Sequence, residues 1–124
     1  MPRMARILLV DDDPLVRFLV ANHLQEGGFD VIEAESGDAA LPLLEMGADL
    51  AGLVTDVQMP GCLNGFDLAR IARERWPALP IVVVSGFAPP GLGGIPAGAA
   101  FLAKPFSSEE LLRCLPPAPG AAGH

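Results

Sequence analysis

Basic residues and cysteines are scarce in this chain. Eight lysines and arginines face 15 acidic residues, and the resulting net charge of −7 argues against direct nucleic-acid binding, which usually needs a basic face. Cys62 and Cys114 fit no metal-binding spacing, so we expect two reduced thiols. No apolar run approaches the length of a membrane span and no signal peptide is evident. We therefore expect a cytoplasmic protein with no membrane association.

Apolar residues are plentiful, at 51% of the 124 residues, which is enough for one domain with a core. Several apolar runs, such as Ile7 to Val10, are continuous and do not alternate with polar residues. Such runs are typical of strands covered by helices on both faces. Segments with helical periodicity lie between them, and the capping box Ser107-x-x-Glu110 predicts a final helix after the last strand. This alternation predicts an α/β fold with a parallel sheet and right-handed crossovers.

The first helix has clear sequence signals. Asp13 is a suitable N-cap and Pro14 suits the first helical position. Leu15, Phe18 and Leu19 then follow the i, i+3, i+4 spacing of an amphipathic helix, and Leu24 extends this stripe. We expect this stripe to pack against the sheet, and we expect Asp13 to act as a helix cap.

Polar residues follow four of the predicted strands. The acidic run Asp11–Asp13 follows the first strand, Asp56 the third, Ser85 the fourth and Lys104 the fifth. The carboxyl ends of parallel strands meet at one edge of a sheet, where open α/β folds build their sites. Adjacent acids repel one another unless a cation lies among them. The sequence therefore predicts a cation-binding polar site at this edge.

In this order, the polar residues resemble the CheY-like receiver domain of two-component response regulators, and single-domain receivers of alphaproteobacteria in particular. The matching segments are Asp11-Asp12, Asp56 with Met59-Pro60, Ser85, and Lys104-Pro105-Phe106. The resemblance implies a flavodoxin-like three-layer sandwich with a five-stranded parallel sheet in the order 2-1-3-4-5. We expect the receiver domain to span residues 5–115 and residues 116–124 to form a disordered tail.

The resemblance also implies a function. A sensor histidine kinase or phosphotransfer protein would donate a phosphoryl group to Asp56, and the product would bind a further protein partner, as a signalling module and not as an enzyme. Such a transfer needs the charge on the phosphoryl oxygens to be offset, which Mg²⁺ or Mn²⁺ does well. Asp12 and Asp56 are the expected direct ligands, Asp11 acts through water, and the backbone carbonyl of Gln58 completes the set.

Three further residues have roles implied by the family. Lys104 would bring its ammonium group to a phosphoryl oxygen, and its bond to Pro105 is commonly cis. Ser85 and Phe101 would form the switch, with the Ser85 hydroxyl bonding the phosphoryl group and the ring moving inward. Many receivers have tyrosine at the ring position. Because phenylalanine has no hydroxyl to bury, we expect the Phe101 ring to favour the inward position without phosphate.

Two segments depart from the family pattern. The turn over residues 59–65 is one residue longer than usual. Residues 86–98 are rich in glycine and proline, so we expect the fourth of the family's usual five helices to be degraded or replaced by a loop. In many receivers the face that includes this helix forms the activated dimer. We therefore expect a monomer or a weak dimer.

Several functions remain open at this stage. The leading hypothesis is a stand-alone response regulator. The alternatives are a receiver module of a hybrid histidine kinase or longer regulator, and a scaffold that binds partners without phosphorylation. A phosphatase with an aspartyl intermediate would share the same groups, but we expect no cap domain, and no second aspartate directly follows Asp56 to serve as the acid.

Overall fold

A computed structural model describes residues 5–46, 50–57, 61, 63–86 and 98–116. The strands are β1 Arg6–Val10, β2 Asp30–Ala34, β3 Leu50–Asp56, β4 Ile81–Ser85 and β5 Ala100–Ala103. The helices of these described ranges are α1 Pro14–Glu26, α2 Gly37–Met46, α3 Gly65–Arg75 and α4 Ser108–Arg113. All strand pairs are parallel and their order is β2-β1-β3-β4-β5. The predicted flavodoxin-like α/β fold is confirmed.

The sheet separates two apolar clusters. Ile7 and Leu9 of β1 point into the cluster beneath α1 and α4, while Leu8 and Val10 point into the cluster beneath α2 and α3. All four side chains are at most 1% exposed. Successive residues of a strand face opposite sides of a sheet, so an uninterrupted apolar run buries both faces of β1. This explains why the central strands do not alternate between polar and apolar residues.

The stripe predicted for the inner face of α1 is only partly buried. Leu24 is buried as expected, together with Val20, but Leu15, Phe18 and Leu19 are 66%, 60% and 49% exposed and the prediction was wrong for them. Two apolar stripes run along this helix, and only one can face the sheet. The cap itself is confirmed, because the Asp13 carboxylate accepts the backbone N–H groups of the first turn. The helix therefore begins where expected but is rotated so that its bulkier stripe faces outward.

Helix caps also position the later elements. Asn64 and Asp67 form a reciprocal capping box at the start of α3, and Ser107 and Glu110 form another at the start of α4. The second of these boxes was evident in the sequence as Ser-x-x-Glu. The capping boxes satisfy backbone N–H groups at the points where loops from the carboxyl edge of the sheet enter the helices.

Some expectations concern residues outside the described ranges. These are the loop that replaces the fourth helix (87–97), the tail after residue 116, the carbonyl ligand Gln58 and the Met59-Pro60 turn. Within the ranges that the structure describes, no helix is long and apolar enough to cross a lipid bilayer.

Candidate functional site

The predicted polar residues meet at the carboxyl edge of the sheet. Asp11 follows β1, Asp56 and Ser85 end β3 and β4, and Lys104 follows β5. The strand registers bring these ends side by side, because Asp56 lies opposite Val84 in the β3–β4 pair. A cleft of about 390 Å³ lies at these strand ends, and its lining residues are Asp11, Asp12, Asp13, Val16, Asp56, Ser85, Gly86 and Lys104.

Three carboxylates converge in this cleft. Asp11, Asp12 and Asp56 each offer an oxygen atom, and these atoms all lie within 4.8 Å of one another. Asp11 is buried, at 2% exposure, and Asp12 is exposed. Oxygen atoms at this separation suit a hard divalent cation, which binds carboxylate oxygens at roughly 2.1–2.6 Å. The residues present therefore fit Mg²⁺ or Mn²⁺.

Asp11 is held at several points. Its backbone N–H donates to the carbonyl of Ala34 at 3.1 Å, and its Oδ1 atom accepts the backbone N–H of Asp13 at 2.9 Å. Burial raises the pKa of the Asp11 carboxyl above its ordinary value, and the neighbouring negative charge of Asp56 raises it further. The hydrogen bond from Asp13 and the ammonium of Lys104 lower this pKa in part. The raised pKa therefore reflects chiefly the burial of this carboxyl, with a smaller contribution from the negative charge of Asp56.

Lys104 reaches across β4 to the acids. Its Nζ atom lies 3.3 Å from Oδ1 of Asp56 and 3.7 Å from Oδ2 of Asp11. Its backbone N–H donates to the carbonyl of Ser85 at 2.8 Å, which fixes the loop after β5 against the end of β4. The Lys104–Pro105 bond is cis, as the resemblance implied. When all are ionised, three carboxylates and one ammonium leave a net charge of −2, which one divalent cation would neutralise.

The two proposed switch residues lie on β4 and β5. Ser85 is 5% exposed and lies at the wall of the cleft. Phe101 pairs with Val83 in the strand register and is half-buried against the cluster beneath α2 and α3. The site roles assigned to Asp11, Asp12, Asp56, Gln58, Ser85, Phe101 and Lys104 stay predictions.

The backbone of Gly65 packs directly against the backbone of Asp56. A Cβ atom added at this glycine would lie 1.9 Å from the backbone oxygen of Asp56. The Gly65 N–H also donates to the carbonyl of Val57 at 2.8 Å. No side chain fits in this space, so the chain can return to the start of α3 only if this position is glycine. The end of β3 is thereby held against the first turn of α3.

Sequence reasoning missed one residue beside the site. Arg17 lies on α1 one turn after the acids, and its Nη1 atom donates to the backbone carbonyl of Asp11 at 2.7 Å. Its Nε atom donates to Glu33 at 2.9 Å. The available signal was a cation one helical turn after an acidic cluster. Because the second partner of Arg17, Glu33, is distant in sequence, this contact could not be inferred from the spacing.

Comparisons with known proteins give a consistent result. The family model described as "Response regulator receiver domain" matches residues 7–115. The chemotaxis protein CheY of Pseudomonas aeruginosa is 38% identical over 112 residues, which cover 86% of this chain and 89% of that protein. Three other curated relatives are much longer, and the chain spans only 12–47% of their length.

Solved structures share the fold. A response regulator receiver protein from Sinorhizobium medicae is 34% identical with a TM-score of 0.82, and the match covers 90% of both chains. The response regulator TrrA from Thermotoga maritima, solved in complex with Mg(2+)-BeF, is 29% identical with a TM-score of 0.79. That match covers 89% of this chain and 95% of TrrA.

Proposed function

Because this chain belongs to the response regulator receiver domain family of two-component systems, we propose that it accepts a phosphoryl group on Asp56 from the phosphohistidine of a sensor kinase or phosphotransfer protein. The acyl phosphate formed on Asp56 then changes which protein the domain binds. The observation that carries this proposal is the convergence of three carboxylates within 4.8 Å, with an ammonium group 3.3 Å from Asp56.

The chemistry follows from Asp56. One carboxylate oxygen attacks phosphorus, an O–P bond forms as the P–N bond of the donor breaks, and the electron pair returns to the imidazole nitrogen. Asp56 is well placed for this attack because its side chain is 14% exposed and opens into the cleft. Lys104 offers its ammonium to a phosphoryl oxygen, since it is already beside the attacking carboxylate.

Mg²⁺ or Mn²⁺ fits the same cleft. Asp12 and Asp56 would hold it directly, Asp11 through a water molecule, and the carbonyl of Gln58 would complete the protein ligands. When bound, the cation offsets negative charge on the phosphoryl oxygens. Without it, the remaining carboxylates oppose the approach of an anionic phosphoryl donor. TrrA, solved with Mg(2+)-BeF, supports this assignment by its similarity.

The switch would work through Ser85 and Phe101. Ser85 lines the cleft beside Asp56 and can donate its hydroxyl to a phosphoryl oxygen. That bond would draw the end of β4 towards Asp56, and Phe101 pairs with this strand. The aromatic ring is already half-buried, which supports the expectation that it favours the inward position.

The exposed stripe of α1 is a suitable surface for the donor protein. Leu15, Phe18 and Leu19 expose large apolar side chains on the helix that begins beside the acids. Val16 of the same helix lines the cleft. A protein that carries a phosphohistidine must cover this rim to reach Asp56, and apolar contact there would help to hold it.

The biological setting is a separate part of the proposal. We favour a stand-alone cytoplasmic regulator, because the match to CheY covers 89% of that protein. A receiver module of a longer protein is the alternative, since other relatives are far longer. The mass of the native gene product on an immunoblot separates the two. A monomer or weak dimer is expected, and sedimentation with and without beryllofluoride tests it.

The central experiment is intact-protein mass spectrometry after incubation with acetyl phosphate. We expect one added phosphoryl group that requires Mg²⁺ and is absent in Asp56→Asn. If neither protein gains mass at any Mg²⁺ concentration, phosphorylation is rejected. The scaffold that binds partners without phosphorylation then becomes the leading function.

A further inference from the structure

Arg17 joins three separate parts of the fold. It lies on the second turn of α1, its Nη1 atom donates to the backbone carbonyl of Asp11, and its Nε atom pairs with Glu33 on β2. These contacts are 2.7 and 2.9 Å long, and the Arg17 side chain is only 19% exposed. A guanidinium with two directed hydrogen bonds and little solvent contact is held in one orientation.

The bond to Asp11 acts on a particular peptide group. The carbonyl of Asp11 belongs to the peptide that connects Asp11 to Asp12, and both residues contribute oxygen atoms to the carboxylate cluster. Because a peptide group is planar, fixing its oxygen also fixes the direction in which the chain leaves towards Asp12. Arg17 therefore acts on the relative placement of the two carboxylates without touching either.

We propose that Arg17 is a positioning residue for divalent-cation binding, and that it holds the Asp11–Asp12 peptide with Glu33 as its anchor on β2. This inference rests on the cation site of the proposed function. Groups that orient ligands from behind commonly contribute to affinity although they do not contact the metal. Asp12 depends most on this support, because its side chain is exposed.

An electrostatic role and a positioning role for Arg17 predict opposite changes in Mg²⁺ affinity when this residue is removed. Arg17 is a cation near the acids, so a purely electrostatic effect would oppose Mg²⁺ binding, and removal of Arg17 would strengthen it. If Arg17 positions the peptide, its removal weakens Mg²⁺ binding even though the site becomes more negative. The sign of the change therefore identifies the role.

The test is calorimetric titration of Mg²⁺ into the metal-free protein, for the wild type and for Arg17→Met, Glu33→Gln and the double variant. Methionine keeps much of the apolar stem of Arg17. The double variant loses one charge of each sign, so its formal net charge stays at −7. Thermal melting in EDTA reports on folding in each case.

We expect Arg17→Met to bind Mg²⁺ about tenfold more weakly than the wild type, and the double variant to stay weak. Glu33→Gln, which keeps an oxygen acceptor for Nε, should have the smallest effect. Tighter binding by Arg17→Met, or wild-type affinity in the double variant, overturns the proposal. So does a lower melting temperature with unchanged Mg²⁺ affinity, which would indicate a structural role alone.

Two further outcomes are distinguishable. If Arg17→Met does not fold, Arg17→Lys replaces it, because one ammonium cannot donate in the same way to both acceptors. Intermediate affinity is then expected, and wild-type affinity counts against the proposal. If the wild type itself binds no Mg²⁺, the proposed function fails, which differs from failure of the positioning role.

Discussion

Lys104 and Asp56 are 48 residues apart in sequence, yet the Nζ atom of one lies 3.3 Å from Oδ1 of the other. The residues follow or end strands that are separated by β4 in the sheet, so the lysine side chain spans the end of that strand. Its ammonium also lies 3.7 Å from Asp11. Lys104 therefore places an ammonium group beside two of the three carboxylates that converge in the cleft.

This arrangement predicts the effect of Lys104→Met on metal binding. Removal of the ammonium eliminates repulsion of Mg²⁺, so affinity should rise about thirtyfold, the equivalent of ~2 kcal/mol between a single and a double charge ~4 Å apart in water. Calorimetric titration measures this change. Arg113→Met is the matched control, because it removes the same charge from an exposed pair with Glu109. Weaker binding by Lys104→Met would contradict the expectation.

The buried carboxyl of Asp11 predicts a pH effect on stability. Its folded-state pKa is raised above the ordinary value of 3.8, chiefly by burial. The folded protein therefore binds this proton more tightly than the unfolded chain, and stability falls as pH rises from 3.8 through the folded-state pKa. Asp11→Asn should remove this loss and raise the melting temperature of the metal-free protein at neutral pH.

Thermal melting in EDTA across the pH range measures the effect of Asp11→Asn. Asp12→Asn, at an exposed position, is the control and should change the metal-free melting temperature less. With saturating Mg²⁺ the wild type should instead melt at a higher temperature than Asp11→Asn, because the variant lacks one of the proposed ligands. If Asp11→Asn is less stable than the wild type in EDTA at neutral pH, the buried charge of Asp11 does not destabilise the metal-free protein.

The outward stripe of α1 predicts a difference between protein and small-molecule donors. Phe18→Ser should slow phosphoryl transfer from a phosphorylated partner protein about tenfold, as loss of a strong interface contact does. Phosphorylation by acetyl phosphate should not change, since Phe18 does not line the cleft. Met46→Ser is the control, because Met46 is 81% exposed on α2. Equal slowing with both donors would place the effect at Asp56 instead.

Two glycines near the cleft should differ in their tolerance of a methyl group. Gly65→Ala brings a Cβ atom to 1.9 Å from the Asp56 carbonyl oxygen, whereas a Cβ atom at Gly86 meets nothing within 4 Å. We expect urea unfolding to show a loss of about 2 kcal/mol for Gly65→Ala and little change for Gly86→Ala. Similar stabilities for the two variants would show that β3 and α3 can move apart.

Much of the fold followed from local patterns. The continuous apolar runs predicted strands buried on both faces, and Asp13 and Ser107 predicted the caps of α1 and α4 correctly. These features depend on residues close together in sequence, so backbone hydrogen bonding and periodicity are sufficient to identify them. The polar residues at strand ends were predictable for a related reason, because parallel strands all end at one edge.

The rotation of α1 and the contacts of Arg17 needed the tertiary structure. Both apolar stripes of α1 have helical spacing, and periodicity alone cannot say which one faces the sheet. Packing against the sheet and α4 buried Val20 and Leu24 and left Phe18 outside. The sequence by itself determined which segments form the parallel sheet and that the acids and the lysine lie at the ends of its strands. Only the tertiary structure decided which side chains meet across different strands and helices, because distance between elements depends on how they pack and not on spacing along the chain.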